Sequence, residues 1–279
     1  MDEDAGSMIR IFNSGAAAIV TKSIGIEPRK GYPNPCVIEL ECGLLNAMGL
    51  PNPGIEEFTT ELIKLKKSKV TIIGSIFGSN SKEFILLGTK MQEAGVCALE
   101  LNMSCPHAKG YGIEIGSDEK LVENITANVK SSVSIPVFVK ISPNLADVTK
   151  IAQSAERGGA DAIVAINTLK AMKIDIETRR PILSNKIGGY SGKAIKPIGI
   201  RCVFEIYKKV NIPIIGVGGI STGEDVIEYI MAGASAVQIG SAVYSREINV
   251  FKKICIEIKN WMKTNNYKKL DELIGVANL

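Results

Sequence analysis

The feature that most constrains this chain is a repeat of short β-branched runs, each followed by apolar residues at helical spacing. The runs fall at 17–22, 70–77, 98–105, 137–142, 162–168, 213–220 and 236–244. Between them, sets such as Val148, Ile151, Ala152 and Ala155, or Val226, Ile227, Ile230 and Met231, predict amphipathic helices. Several of these helices are predicted to end on glycine just before the next strand. Examples are Ala94-Gly95-Val96, Gly158-Gly159-Ala160-Asp161 and Ala232-Gly233-Ala234, where glycine supplies the left-handed cap. Strands that alternate with helices pair in parallel and are buried on both faces. The composition supports this: 46% of residues are apolar but only 5% are aromatic, so Ile, Val, Leu and Ala must fill the core.

No early G-x-G-x-x-G points to a dinucleotide-binding half. The expected architecture is a (β/α)8 TIM barrel, one domain over residues 1–279, with its chemistry at the C-terminal ends of the strands. Only seven barrel strands are predicted. The chain opens in what reads as the first helix, with Met8, Ile9, Ile11 and Phe12 leading to Gly15. The expectation is therefore a barrel whose first strand is missing from the chain. Insertions at about 23–54 and 170–192 are rich in Pro and Gly and leave the C-terminal ends of strands, where active-site loops belong. The first contains a hairpin strand, Val37-Ile38-Glu39-Leu40-Glu41.

A net charge of +4 and dispersed lysines, as in Lys64-Leu65-Lys66-Lys67, read as solvated helix faces rather than a nucleic-acid surface. Six cysteines without a C-x-x-C pair, and a single histidine, argue against a zinc site. With no signal-like or membrane-length apolar run, free thiols in the cytoplasm are expected.

Four constellations carry chemistry. The first is Glu100-Leu101-Asn102-Met103-Ser104-Cys105-Pro106-His107, at a strand end turned by proline. There an amide can hold a planar polar ligand and a thiol can move a proton; a buried structural cysteine is the equally open alternative. The second is the loop from Leu45 to Gly54, with Asn46 as an anchor and Ala47, Met48, Gly49 and Leu50 after it. The third is Gly218-Gly219 with Gly240-Ser241, at the ends of the last two strands. Backbone amides there, with the dipole of the helix that Ile220-Ser221-Thr222-Gly223-Glu224-Asp225 begins, make an anion site. The fourth is a set of polar groups at the ends of apolar strands: Thr21-Lys22-Ser23, Lys140 and Asn167-Thr168. Two lysines in a barrel mouth call for an anion or an electron-rich ring.

Taken together, these motifs resemble the dihydroorotate dehydrogenase family, class 1, and within it the class 1B catalytic subunit. The similarity runs from about residue 17 to 244. It adds Val139-Lys140-Ile141-Ser142-Pro143-Asn144, Ile166-Asn167-Thr168-Leu169, Gly189-Tyr190-Ser191-Gly192-Lys193-Ala194-Ile195-Lys196-Pro197 and Gly216-Val217-Gly218-Gly219-Ile220 to the residues above. The resemblance implies flavin-dependent oxidation of dihydroorotate to orotate in pyrimidine biosynthesis. Cys105 would remove the C5 proton. Lys22, Asn46, Ala47, Met48, Gly49, Leu50, Asn102, Asn167 and Thr168 would bind substrate. Lys22, Ser23, Ser75, Asn102, Lys140, Ile166, Gly192, Gly218, Gly219, Gly240 and Ser241 would hold FMN. It further implies a homodimeric core and a partner subunit carrying FAD and a 2Fe-2S cluster that passes electrons to NAD+. His107 stands where the family usually has Asn. The alternatives are a related FMN barrel acting on another dihydropyrimidine, as dihydropyrimidine dehydrogenase does, and a truncated, non-catalytic barrel.

Overall fold

The computed structural model describes residues 4–103 and 113–278. Helix α1 (Ala5–Asn13) starts where the Asp4 carboxylate accepts the Ser7 amide, and it buries Ala5 and Met8. Strand β1 (Ile19–Val20) follows, then a hairpin of β2 (Val37–Leu40) and β3 (Gly43–Asn46). The alternation then runs through α2 (Ile55–Leu65), β4 (Ile72–Ile76), α3 (Ser81–Ala94) and β5 (Ala98–Asn102). It continues with α4 (Ile113–Gly116), α5 (Glu119–Ser132), β6 (Val137–Ile141), α6 (Val148–Arg157) and β7 (Ala162–Ala165). A second excursion holds β8 (Leu169–Ala171), β9 (Ile174–Asp175), β10 (Arg180–Pro181) and β11 (Gly188–Ser191). The last stretch is α7 (Lys196–Tyr207), β12 (Ile214–Val217), α8 (Gly223–Ala232), β13 (Ala236–Gln238), α9 (Ala242–Arg246) and α10 (Val250–Thr264).

Seven strands form one parallel sheet in the order β1-β4-β5-β6-β7-β12-β13, and they are the seven that the periodicity predicts. All five residues of β5 and all four of β7 are buried, as strands covered on both faces must be. The sheet curls into a TIM-barrel-like fold. Glu100 on β5 bonds Gln238 on β13, four strands away in the order. In a flat sheet those strands would stand roughly 19 Å apart, beyond the reach of two side chains. Among the described residues β1 pairs only with β4 and β13 only with β12, so the sheet is open between them. The helical layer does meet there. A Cβ on Gly15, just after α1, would lie 2.9 Å from Cγ of Lys252 on α10.

The helices bury the faces their spacing predicts, including Val148, Ile151, Ala152 and Ala155 on α6, and Val226, Ile227 and Ile230 on α8. Asn80, Asp118 and Asp147 cap α3, α5 and α6 through their side chains, and Gly95 closes α3 at φ +99°. The strands are shorter than their predicted runs, the last most of all. The segment 236–244 keeps only β13, because the chain turns at Gly240 and winds into α9.

The two insertions build a separate antiparallel sheet, β2-β3-β11-β8, over a small core of Leu45, Ala47 and Leu183. Leu45 and Asn46, read above as part of a loop, belong to β3. They pair with Tyr190 and Gly189 of β11, a partner supplied from more than 140 positions away.

Candidate functional site

Most of the predicted site residues that the structure describes lie at or near the C-terminal ends of the parallel strands, along one rim of the barrel. Thr21, Lys22 and Ser23 follow β1; Ser75 lies in β4, Asn102 ends β5 and Lys140 lies in β6. Ile166, Asn167 and Thr168 follow β7, Gly218 and Gly219 follow β12, and Gly240 and Ser241 follow β13. Cys105, with Ser104, Pro106 and His107, lies outside the described residues.

A hydrogen-bonded chain joins four strand ends. The Ser75 amide donates to Oγ1 of Thr21 at 2.9 Å, and the hydroxyls of Ser23 and Ser75 are 2.9 Å apart. Nδ2 of Asn102 donates to Oγ of Ser23 at 2.9 Å, and Nδ2 of Asn167 donates to Oδ1 of Asn102 at 3.3 Å. Oδ1 of Asn167 accepts the Thr168 amide at 2.7 Å. Asn144, quoted in a motif above but given no role, braces the far end: its Nδ2 donates to the Thr168 carbonyl at 3.0 Å. Each member restrains the rotamer of the next, so the chain holds these side chains in place.

The insertion sheet closes on this rim. Nδ2 of Asn46 donates to the Gly189 carbonyl at 3.2 Å. A Cβ on Gly189 would sit 2.1 Å from Oγ1 of Thr168, so only glycine lets β11 lie against the strand end. Asn46, Gly189 and Thr168 are thereby brought together from three parts of the chain. Ala47 is fully buried in the small core, with its amide donated to the Cys36 carbonyl. Gly49 and Leu50 both take left-handed backbone (φ +76° and +56°), which turns the chain away after Met48.

The glycine turns follow the neighbouring strands β12 and β13, but the adjoining helix end is already in use. Gly218 and Gly219 have φ of +129° and +72°, and a Cβ on Gly219 would lie 2.8 Å from the carbonyl oxygen of Gly192. A Cβ on Gly240 would meet nothing within 4 Å, so this turn opens onto space. The first amides of α8 are different. Those of Ser221 and Thr222 both donate to Oδ2 of Asp225 at 2.8 Å, and that of Gly223 donates to Oε2 of Glu257 at 2.6 Å. The expected anion site is corrected on this point. Two carboxylates of the protein satisfy the helix terminus, so these amides are not open to an anion.

Asp225 is itself strongly perturbed. Burial pushes its carboxyl up, but the ammonium of Lys196 at 2.8 Å and the amides of Ser221 and Thr222 outweigh burial and hold it down at about 2. Arg246 completes the brace: it donates to Oε1 of Glu257 at 2.6 Å and to the Ser221 carbonyl.

Three residues escape the sequence reading. The fully buried Tyr229 donates its hydroxyl to the Gly218 carbonyl at 2.7 Å. Its ring fits because residues 199 and 216 are glycine: a Cβ there would fall 1.9 Å from the hydroxyl oxygen and 2.4 Å from Cδ1. Within α8 Tyr229 reads only as a core residue. Glu100 and Gln238 meet Lys140 inside the barrel, a contact without a local signal.

Cys36, Cys42, Cys97, Cys202 and Cys255 are free thiols, and burial pushes Cys202 up to about 11, which makes it a poor nucleophile. Among the described residues no helix is long and apolar enough to cross a membrane.

Comparison with known proteins agrees with this geometry. The profile of the family "Dihydroorotate dehydrogenase" matches residues 1–262. Three relatives carry the name "Dihydroorotate dehydrogenase B (NAD(+)), catalytic subunit". The one from Thermoplasma acidophilum is 52% identical over 277 residues, covering 99% of this chain and 92% of the relative. Its counterpart in Methanocaldococcus jannaschii is 51% identical over 282 residues, covering 100% and 92%. That of Pyrococcus furiosus is 52% identical over 268 residues, covering 96% and 89%. With seven parallel strands in barrel order, the predicted residues on one rim and a family match over almost the whole length, the chain belongs to the dihydroorotate dehydrogenase family, on its class 1B branch.

Proposed function

We propose that this chain is the catalytic subunit of an NAD+-linked, flavin-dependent enzyme that oxidises dihydroorotate to orotate in pyrimidine biosynthesis. The observation that carries the reading is the bonded chain Ser75–Ser23–Asn102–Asn167–Thr168 at one barrel rim. It presents amide and hydroxyl groups that match a ring bearing carbonyls and N–H groups. The residues also fit a flavin mononucleotide. Gly192 and Gly219 lie together, Gly240 opens onto space, and Lys140, paired with Glu100 and Gln238, lies in register with Asn102 on the next strand.

In this reading residues 1–279 form one FMN-binding barrel domain. Ser23, Ser75, Asn102, Lys140, Ile166, Gly192, Gly218, Gly219, Gly240 and Ser241 hold FMN, and Lys22 touches both flavin and substrate. Bound FMN supplies the acceptor for the hydride that leaves C6. Cys105, as thiolate, takes the C5 proton, so the ring loses one proton and one hydride and gains a double bond. Asn46, Ala47, Met48, Gly49, Leu50, Asn102, Asn167 and Thr168 orient the ring and its carboxylate. The relatives' name, a catalytic subunit linked to NAD+, supports a second, electron-transfer subunit; in this reading that subunit carries FAD and a 2Fe-2S cluster and takes the electrons onward. A cytoplasmic, homodimeric core completes the picture.

Anaerobic mixing of the FMN-loaded protein with dihydroorotate tests this. Bleaching of the flavin band with release of orotate is expected. Bleaching by dihydrouracil and not by dihydroorotate would assign the chain to another dihydropyrimidine. A protein that stays colourless in excess FMN would mark a non-catalytic barrel.

A further inference from the structure

We propose that Glu100 is a positioning residue: its carboxylate, inside the barrel, fixes where Lys140 presents its ammonium to the flavin. The proposal deepens the function given above and rests on its assignment of Lys140 to FMN.

Glu100 is 1% exposed, in the middle of β5. By strand alternation it shares the inner face with Asn102, while Leu99 on the other face lies against Gly88 of α3. A carboxylate so far from water is strongly unfavourable unless a charge and hydrogen bonds replace its hydration. Both of its oxygens are engaged. Oε1 accepts from Nζ of Lys140 at 3.1 Å and Oε2 accepts from Nε2 of Gln238 at 2.6 Å. Lys140 also donates to Oε1 of Gln238 at 3.4 Å, which closes a ring of three side chains from β5, β6 and β13.

The ring has two ends that matter. The Lys140 side chain keeps 18% of its surface exposed, against 1% for Glu100, so the lysine is the member of the pair that reaches open space. Gln238 stands two positions before Gly240, on a strand whose only sheet partner among the described residues is β12. The bond across the barrel from Glu100 therefore restrains both the cation and the strand that carries Gly240 and Ser241. A lysine stem has four rotatable bonds, and its ammonium is a point charge whose direction must come from its partners. An apolar residue at position 100 would fill the same space without giving that direction.

A double-mutant cycle on the FMN-loaded protein separates aiming from simple charge. The readout is the midpoint potential of bound FMN, followed by equilibrium with reference dyes. Lys140→Met is expected to lower the potential, because the cation favours the electron-rich reduced flavin. In the Glu100→Gln background the same substitution is expected to shift it by less than half as much, because an unaimed lysine contributes little. The direct effect of removing the Glu100 charge cancels in the cycle. Equal shifts in both backgrounds would overturn the proposal. So would a larger shift in the Glu100→Gln background, which would make Glu100 a neutralising counter-charge only. No shift from Lys140→Met in the wild-type protein would overturn the placement of Lys140 at the flavin, and the proposal with it, whereas orotate formation would still stand or fall separately. Should Glu100→Gln fail to fold, Gln238→Leu breaks the ring at its neutral member, and the same contraction of the Lys140→Met shift is required.

Discussion

The hydroxyl of Tyr229, at the centre of α8, donates to the carbonyl oxygen of Gly218 at 2.7 Å. This bond restrains the carbonyl of Gly218, in the turn proposed to hold FMN. Tyr229→Phe keeps the ring in its glycine-lined slot and leaves the carbonyl without its donor. The expected cost is about 1 kcal/mol, roughly a fivefold rise in Kd for FMN. Fluorescence titration of the apoprotein with FMN checks it; an unchanged Kd would detach the tyrosine from cofactor binding.

Asp225 makes stability depend on acid. Its carboxyl sits at about 2 in the folded chain, below the value near 3.9 of an unfolded aspartate. A depressed folded value means that the stabilisation is present above about pH 4 and is lost as pH falls from there through about 2. Thermal melts of wild type and Asp225→Asn should differ clearly at pH 7, on the order of 2 kcal/mol, and converge towards pH 2. Parallel curves across that window would contradict the Lys196–Asp225 contribution.

Gly189 is required by closeness rather than by an unusual φ. In Gly189→Ala the new methyl would start 2.1 Å from Oγ1 of Thr168, so β11 must move away from the barrel rim. Overpacking of this kind costs about 1–3 kcal/mol. It also displaces Asn46, which bonds the Gly189 carbonyl. Weaker orotate binding with FMN binding preserved is the expected pattern, read by calorimetry with each ligand.

For Cys105 the prediction is kinetic. Cys105→Ser should retain FMN and reduce it with dihydroorotate about 10²-fold or more slowly at pH 7, since a positioned base contributes at least that much. The rate should recover as pH rises. Stopped-flow absorbance of the flavin follows both, and a full rate at pH 7 would remove the cysteine from proton transfer.

Much of this was legible in the chain itself. All seven strands, the amphipathic helices and the glycine cap at Gly95 follow from local periodicity and local backbone freedom, which the sequence carries directly. The rim positions of Lys22, Asn102, Lys140 and Asn167 follow too, because a polar residue that ends an apolar strand needs no long-range information to be noticed. Tertiary structure alone decided the rest. Glu100 and Gln238 meet across 138 positions because the sheet curls. Asn46 lies in a strand rather than a loop because β11 arrives to pair with it. The start of α8, which reads as an anion site, is filled by Asp225 and by Glu257 from α10. In each case a side chain's partner is set by curvature and packing between distant elements, and local pattern holds no record of which carboxylate, amide or hydroxyl will be there to meet it.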